Sequence, residues 1–286
     1  MHAFLRALGF KAVDTDKEEK LVVNALANIH TPEAMRFENT KDNRVFVMYA
    51  LTKEMGLAIS GVSDPKQHVE VEFYAPYVVG TRNTEVNNIS IERLGDREAY
   101  EVVCESVDNG TTLIFYLINS MDYYNVLKNR GKLELKEVYL SALSTAGIIM
   151  LPNVKSKVEV SRDSRKNMIE AARNGDTQAM ENLTIGEFEM FSKLNSRIRN
   201  EDIYSIVESS LMPCGVECDK YMIVGEIMGI KRVENGLYEE EVWVLSVDAN
   251  YVKVDVAINA SDLLGEPQIG RRFKGQIWLQ GIVNFE

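Results

Sequence analysis

Cys214 and Cys218 stand four residues apart beside Glu217 and Asp219, a spacing from which one loop can offer two thiolates to zinc. A structural zinc site takes four ligands, and neither a second cysteine pair nor a histidine stands near, so unliganded thiols are the expectation. His68, Glu70 and Glu72 alternate with Val69, Val71 and Phe73, which places nitrogen and oxygen ligands for a metal on one strand face. The same alternation marks the wet face of an amphipathic strand, and that reading is preferred. His2, His30 and His68 are the three histidines, and none lies in a nucleophile elbow or another activating context. Gly225, Gly229 and Gly236 fit neither phosphate-loop spacing. With 43 Asp and Glu residues, any one carboxylate pair arises by chance. No catalytic residue, cofactor or metal is therefore assigned, and a carboxylate- or metal-dependent enzyme stands only as an alternative.

The remaining constellation is one of binding. Arg271, Arg272 and Lys274 flank Phe273, and Trp243, Tyr251 and Trp278 lie in the same C-terminal stretch. Basic side chains with stacking aromatics are how small barrels hold single-stranded nucleic acid. Against this, the stretch from Pro213 to Glu286 holds seven Lys and Arg but twelve Asp and Glu, including Glu239, Glu240 and Glu241. Aromatics in a small barrel also serve its core, so nucleic acid is disfavoured as a partner. These six residues remain the binding candidates.

The elements that must position them are strands. Tyr221 to Val233, Glu241 to Asp248, Tyr251 to Ile258 and Gly275 to Phe285 are rich in β-branched and aromatic residues. Glu234-Asn-Gly-Leu and Asp248-Ala-Asn250 supply hairpin turns between the first three. Val252, Val254, Val256 and Ile258 point to one face and Lys253 and Asp255 to the other, which predicts a half-buried strand. Ser261 to Gly265 predicts one helical turn. The order resembles an oligonucleotide- and oligosaccharide-binding (OB) barrel at the level of fold, which by itself names no ligand.

Upstream, Thr15-Asp-Lys-Glu18 has capping-box spacing before a helix whose Leu21, Val22, Ala25, Leu26 and Ile29 share a face. Val45 to Leu51, Gly56 to Ser63, Val69 to Val79, Ile89 to Arg93, Ala99 to Ser106 and Leu113 to Asn119 read as strands. A short helix from Met121 to Gly131 follows, and Lys132 to Leu151 is extended again. Helical periodicity then covers Ser161 to Asn174 and Asp176 to Asn182. A third helix opens at the capping box Thr184-Ile-Gly-Glu187 and carries Phe188, Phe191, Leu194 and Ile198; a fourth runs from Glu201 to Leu211. This helical run is a further candidate surface for a protein partner.

The fold class expected is α+β: a mostly antiparallel, sheet-rich domain over 1–155, a helical connector over 156–212 and an OB-like small β-barrel over 213–286. The chain of 286 residues, 45% hydrophobic, can bury a large core. No apolar run reaches the roughly 20 residues that span a bilayer, the first ten residues lack the apolar core of a secretory signal, and three cysteines make no disulfide framework. A cytoplasmic location follows. The formal net charge of -11 opposes both phosphate backbones and anionic membranes. A protein partner is the expected ligand class, with no membrane; the sequence sets no oligomeric state.

Three groups of residues carry a family resemblance. They are Met1-His-Ala-Phe-Leu-Arg-Ala-Leu-Gly-Phe10; Gly110-Thr-Thr-Leu-Ile-Phe-Tyr-Leu-Ile-Asn119; and Asp262-Leu-Leu-Gly-Glu-Pro267 with Gly270-Arg-Arg-Phe-Lys-Gly275 and Trp278-Leu-Gln-Gly281. Over nearly its full length the chain resembles a family of uncharacterised Firmicutes proteins, a domain of unknown function found mainly in clostridia. The resemblance implies a bacterial cytoplasmic protein and brings no assigned activity or site residues. The reading reached is a non-enzymatic binding or regulatory protein.

Overall fold

The computed structural model describes residues 3–10, 20–25, 34–39, 43–65, 68–95, 99–128, 135–152, 162–184, 209–216, 218–236 and 240–285. Among them strands dominate and helices are few, so the α+β expectation resolves into a mostly β fold. Strands β1 (Ala34–Asn39), β2 (Arg44–Ala50), β3 (Met55–Ser63) and β4 (Val69–Val78) form an antiparallel sheet in sequence order. After β5 (Asn83–Thr84), β6 (Val86–Arg93), β7 (Tyr100–Ser106) and β8 (Thr112–Leu117) come helix α1 (Ser120–Lys128), the long strand β9 (Leu135–Met150) and helix α2 (Arg162–Arg173). The chain continues through β10 (Ser210–Pro213), β11 (Lys220–Asn235), β12 (Glu240–Ala249), β13 (Val252–Asn259), β14 (Leu263–Leu264) and β15 (Arg272–Phe285).

These later strands make one larger mixed sheet in the order β10-β11-β12-β13-β9-β15-β8-β7-β6. β13 and β14 run parallel to β9, and β15 runs parallel to β8. Because β11 also pairs with β15, the pairings β11-β12-β13-β9-β15 close on themselves. Four strands of this cycle come from the C-terminal stretch and the fifth, β9, from before residue 155, so strands from 1–155 and from 213–286 share one sheet.

The hairpin predicted at Asp248-Ala-Asn250 turns on Asn250 and Tyr251, both at positive φ, which matches the twist of the strands it joins. Beyond it, Val252, Val254, Val256 and Ile258 do share one face, buried with Ile223, Leu245, Val247, Phe273 and Leu279. The opposite face is partly exposed at Lys253 and buried beyond it. Ala257 is fully buried there and Asp255 is 2% exposed, because a second core lies against it. That core joins Phe4, Leu5 and Leu8 of the N-terminal 3-10 turn (Ala3–Leu8) to Val242, Val244 and Trp278, and to Val45, Leu57 and Ile59 of the four-stranded sheet. A carboxylate buried so deeply needs donors. Asp255 accepts hydrogen bonds from Thr81 N at 2.7 Å, Thr81 Oγ1 at 2.6 Å and Ser246 Oγ at 2.5 Å.

Inside the cycle, Gly147 and Gly275 face each other across β9 and β15 and admit the Phe273 ring. A Cβ on Gly147 would lie 2.4 Å from that ring, and one on Gly275 2.7 Å from it. Helix periodicity holds for α2 and for 177–184, and Leu21, Val22 and Ala25 share a buried face as expected. The helix expected from Glu201 to Leu211 is corrected at its end, where Ser210 and Leu211 pair as strand with Val224 and Ile223. The rest of that helix, the helix carrying Phe188 to Ile198 and the cap at Thr15 lie outside the described residues. The helical turn expected from Ser261 to Gly265 is shorter: a 3-10 turn at Ala260–Asp262 gives way to β14. No described helix is long and apolar enough to cross a membrane.

Candidate functional site

Strand alternation along β15 sorts the basic candidates. Phe273 points inward and is fully buried, so Arg272 and Lys274 point outward. Arg272 lies opposite Met150 of β9 and Lys274 opposite Ile148; on the other side they meet Glu226 and Val224 of β11. Arg272 is 5% exposed and its Nε donates to the Leu151 carbonyl at 3.0 Å. Arg271, half-exposed, donates to the Glu266 carbonyl at 3.3 Å.

Around these cations the surface is apolar. Ile148 pairs with Leu264 of β14 on one side and with Lys274 on the other, so Leu264, Ile148 and Lys274 form one row across three strands. Leu264, Leu151 and Ile269 are 66%, 73% and 71% exposed, and Ile148 is exposed as well. Ile269 is held in place by its neighbours: Gly270 N donates to the Ile227 carbonyl at 2.9 Å, and Ile227 N to the Arg271 carbonyl at 2.8 Å. Exposed Leu264 and Ile148 thus share a row with Lys274, and exposed Leu151 and Ile269 stand beside Met150 and Gly270 in the chain. The inward turn of Ile149 and Leu263 is what sends Ile148 and Leu264 out.

The aromatic candidates lie elsewhere. Trp278 shares the outer face of β15 but is 6% exposed, stacked on Phe4 at 5.4 Å and tilted against Tyr116 at 5.2 Å. Its indole N–H donates to the Asp219 carboxylate. Trp243 is half-buried, with the Arg232 guanidinium 5.6 Å from its ring centroid. Tyr251 occupies the β12–β13 turn, where its N–H donates to Asp248 Oδ1 at 2.9 Å. The structure therefore groups Arg271, Arg272 and Lys274 and leaves Trp243, Tyr251 and Trp278 outside that row.

The metal-ligand candidates have other partners. His68 is exposed, with Nδ1 3.3 Å from Asp64 Oδ2, while Glu72 accepts from Arg44 at 2.5 Å. Among the described residues no three His, Cys, Asp or Glu side chains cluster closely enough to hold a metal ion. Cys214 and Cys218 are free thiols in the loop after β10, and Cys104 is a free thiol buried in the core. Desolvation, with Glu105 adding repulsion, pushes the Cys104 thiol up to about 12.

A family described as "Domain of unknown function, E. rectale Gene description (DUF3881)" matches residues 5–281. No curated protein and no solved structure matches the chain.

Proposed function

The chain belongs to this DUF3881 family, and we propose that it is a non-enzymatic cytoplasmic binding protein that takes an acidic, partly apolar segment of a protein partner. The observation that carries the reading is the row Leu264, Ile148 and Lys274, with Leu151, Ile269, Arg271 and Arg272 around it. Exposed apolar clusters rimmed by polar groups mark interaction sites. Here Arg271 and Lys274 are the half-exposed cations beside the apolar side chains, on a chain of net charge -11, so charge complementarity selects an acidic occupant. Screening over about 8 Å lets a short segment meet this local field, whereas a long polyanion also meets the acidic remainder.

The five-strand pairing cycle supports an OB-like barrel whose fifth strand is contributed from upstream, by β9. The facing glycines at Gly147 and Gly275 supply a close approach of the kind such barrels need. On this reading the site lies on the outer wall, where β14, β9 and β15 run side by side.

The test is fluorescence anisotropy with a labelled peptide of alternating Glu and Leu, set against a Lys and Leu counterpart and an oligothymidylate. Saturable, salt-sensitive binding of the acidic peptide is expected, weakened roughly tenfold or more by Ile148→Asp and by Lys274→Glu. Binding indifferent to both substitutions, or tighter binding of the oligothymidylate, overturns the reading.

A further inference from the structure

Three asparagines in the chain stand directly before glycine: Asn109, Asn174 and Asn235. Such a pair carries a latent reaction. The main-chain nitrogen of the glycine can attack the carbonyl carbon of the asparagine side chain, and a following residue without Cβ leaves that approach open. The fold sorts the three by what holds each carboxamide.

Asn235 is fully buried, and its amide donates to the Leu8 carbonyl at 2.6 Å. Asn109 is tied at both ends: Nδ2 donates to the Asn250 carbonyl at 2.6 Å, and Oδ1 accepts from Thr111 N at 2.9 Å. Asn174 differs from both. It stands exposed just past α2, and its carboxamide bonds to no described residue. Its restraint is in the main chain, where Gly175, at φ 88°, donates from N to the Ala172 carbonyl at 3.1 Å and Asp176 N donates to the Ala171 carbonyl at 3.0 Å. Helix ends fray, and each such opening frees the Gly175 nitrogen. Gly110 N is held in the same way, by the Ser106 carbonyl at 2.9 Å, so what separates Asn174 from Asn109 is the free carboxamide.

We propose that Asn174 is a site of spontaneous deamidation that loosens the end of α2. Gly175 N bonds to Asn174 Cγ, the Cγ–Nδ2 bond breaks, and the glycine N–H proton leaves with that nitrogen as ammonia. The cyclic imide that remains is opened by water. Cleavage between Cγ and the glycine nitrogen gives aspartate; cleavage between that nitrogen and the main-chain carbonyl carbon gives isoaspartate. Either product puts a negative charge at the C-terminal end of the helix, where the dipole disfavours it. Isoaspartate also inserts a methylene into the main chain, directly after Arg173, whose Nη2 lies 2.9 Å from Glu105 Oε2 of β7. The closing bonds from Gly175 and Asp176 then lose their spacing, and with them the tie to β7.

The experiment holds the full folded chain at mildly alkaline pH and maps its peptides by mass spectrometry over time, with an isoaspartate methyltransferase to mark the isoaspartyl product. Conversion at Asn174 ahead of Asn109 and Asn235 is expected, and Asn174→Gln should remove it. In guanidinium the three should convert at similar rates, which assigns the order to the fold. Amide exchange over the last turn of α2 should be faster in the converted chain. The proposal is overturned if Asn174 stays intact in the folded chain while it converts in guanidinium, if Asn109 or Asn235 keeps pace with it in the folded chain, or if exchange at the end of α2 is unchanged by conversion.

Discussion

Arg6 holds Asp262 with two nitrogens, Nε and Nη2, each 2.6 Å from a carboxylate oxygen, across 256 residues of chain. The hydrogen bond to Asp262 raises the Arg6 pKa further, so the guanidinium stays charged. Around it the three family-like stretches converge. Phe4 stacks on Trp278, Tyr116 lies against the same indole, and a Cβ on Gly281 would sit 2.5 Å from the Phe115 ring. Asn119 closes the set by donating to the Val283 carbonyl at 2.8 Å and accepting from Val283 N at 3.1 Å. Residues that read as separate motifs are one packing unit.

The anchoring of the N-terminal turn is testable through Asn235, whose fully buried amide donates to the Leu8 carbonyl at 2.6 Å. Asn235→Ala should cost about 1–3 kcal/mol by leaving that carbonyl without its donor. Arg6→Ala, at a pair whose guanidinium is half-exposed, should cost less. Urea unfolding of both variants gives the comparison, and an equal loss in the two would contradict it.

Phe273 needs both glycines beside it. Gly275→Ala should therefore destabilise by about 1–3 kcal/mol through overpacking. Adding Phe273→Leu should recover part of that loss, because the smaller side chain vacates the space. A double-mutant cycle measured by thermal unfolding reads the coupling, and simple additivity would count against the contact.

The three thiols should separate by reactivity. Cys218 is exposed, Cys214 half-buried, and Cys104 is buried with its pKa raised to about 12. A thiol-disulfide reagent at pH 8 should label the native chain at Cys218 and Cys214 and reach Cys104 only after denaturation. Native labelling of Cys104, located by mass spectrometry, would show that the core opens under those conditions.

Alkaline stability should be set by buried phenols. Burial pushes Tyr77 up to about 12; Tyr221 also reaches about 12 by burial, opposed in part by the hydrogen bond from Ile114 N. A raised folded pKa means stability fully present below the ordinary value near 10 and lost as pH rises from there through 12. Tyrosinate absorbance followed against pH should rise for these two together with loss of fold. Their ionisation near pH 10 in the intact protein would be incompatible with their burial.

Glu101 gives the acidic counterpart. Desolvation, then Asp219 and its cross-strand neighbour Glu92, hold its pKa above the ordinary glutamate value. Its contribution is present below the unfolded pKa and lost as pH rises through the folded one, so the charged form weakens the fold at neutral pH. Glu101→Gln should raise the melting temperature at pH 7 and change it little at pH 4. A loss at both pH values would mean that the carboxylate serves a bond instead.

Local chemistry in the sequence determined most of the strands, the hairpin turn after Asp248 and the inward face of Val252, Val254, Val256 and Ile258. These rest on alternation and turn residues within a few positions of one another, so a window of sequence contains their cause. The family resemblance was legible in the same three stretches, where Phe4, Tyr116, Trp278 and Gly281 make the packing contacts described above. Tertiary structure alone decided what each face meets. Asp255 reads as a solvent-facing residue because the groups that bury it, Thr81 and the second core, lie far away in sequence. Ser210 and Leu211 become strand because β11 offers an open edge, a property no helical periodicity encodes. Ile148 and Leu264 stand outside in the fold, where the two-residue strand β14 laid parallel to β9 places them beside Lys274, a pairing that neither stretch encodes by itself. The candidate surface is a product of such long-range pairing, and physical proximity across the chain is what the linear order leaves open.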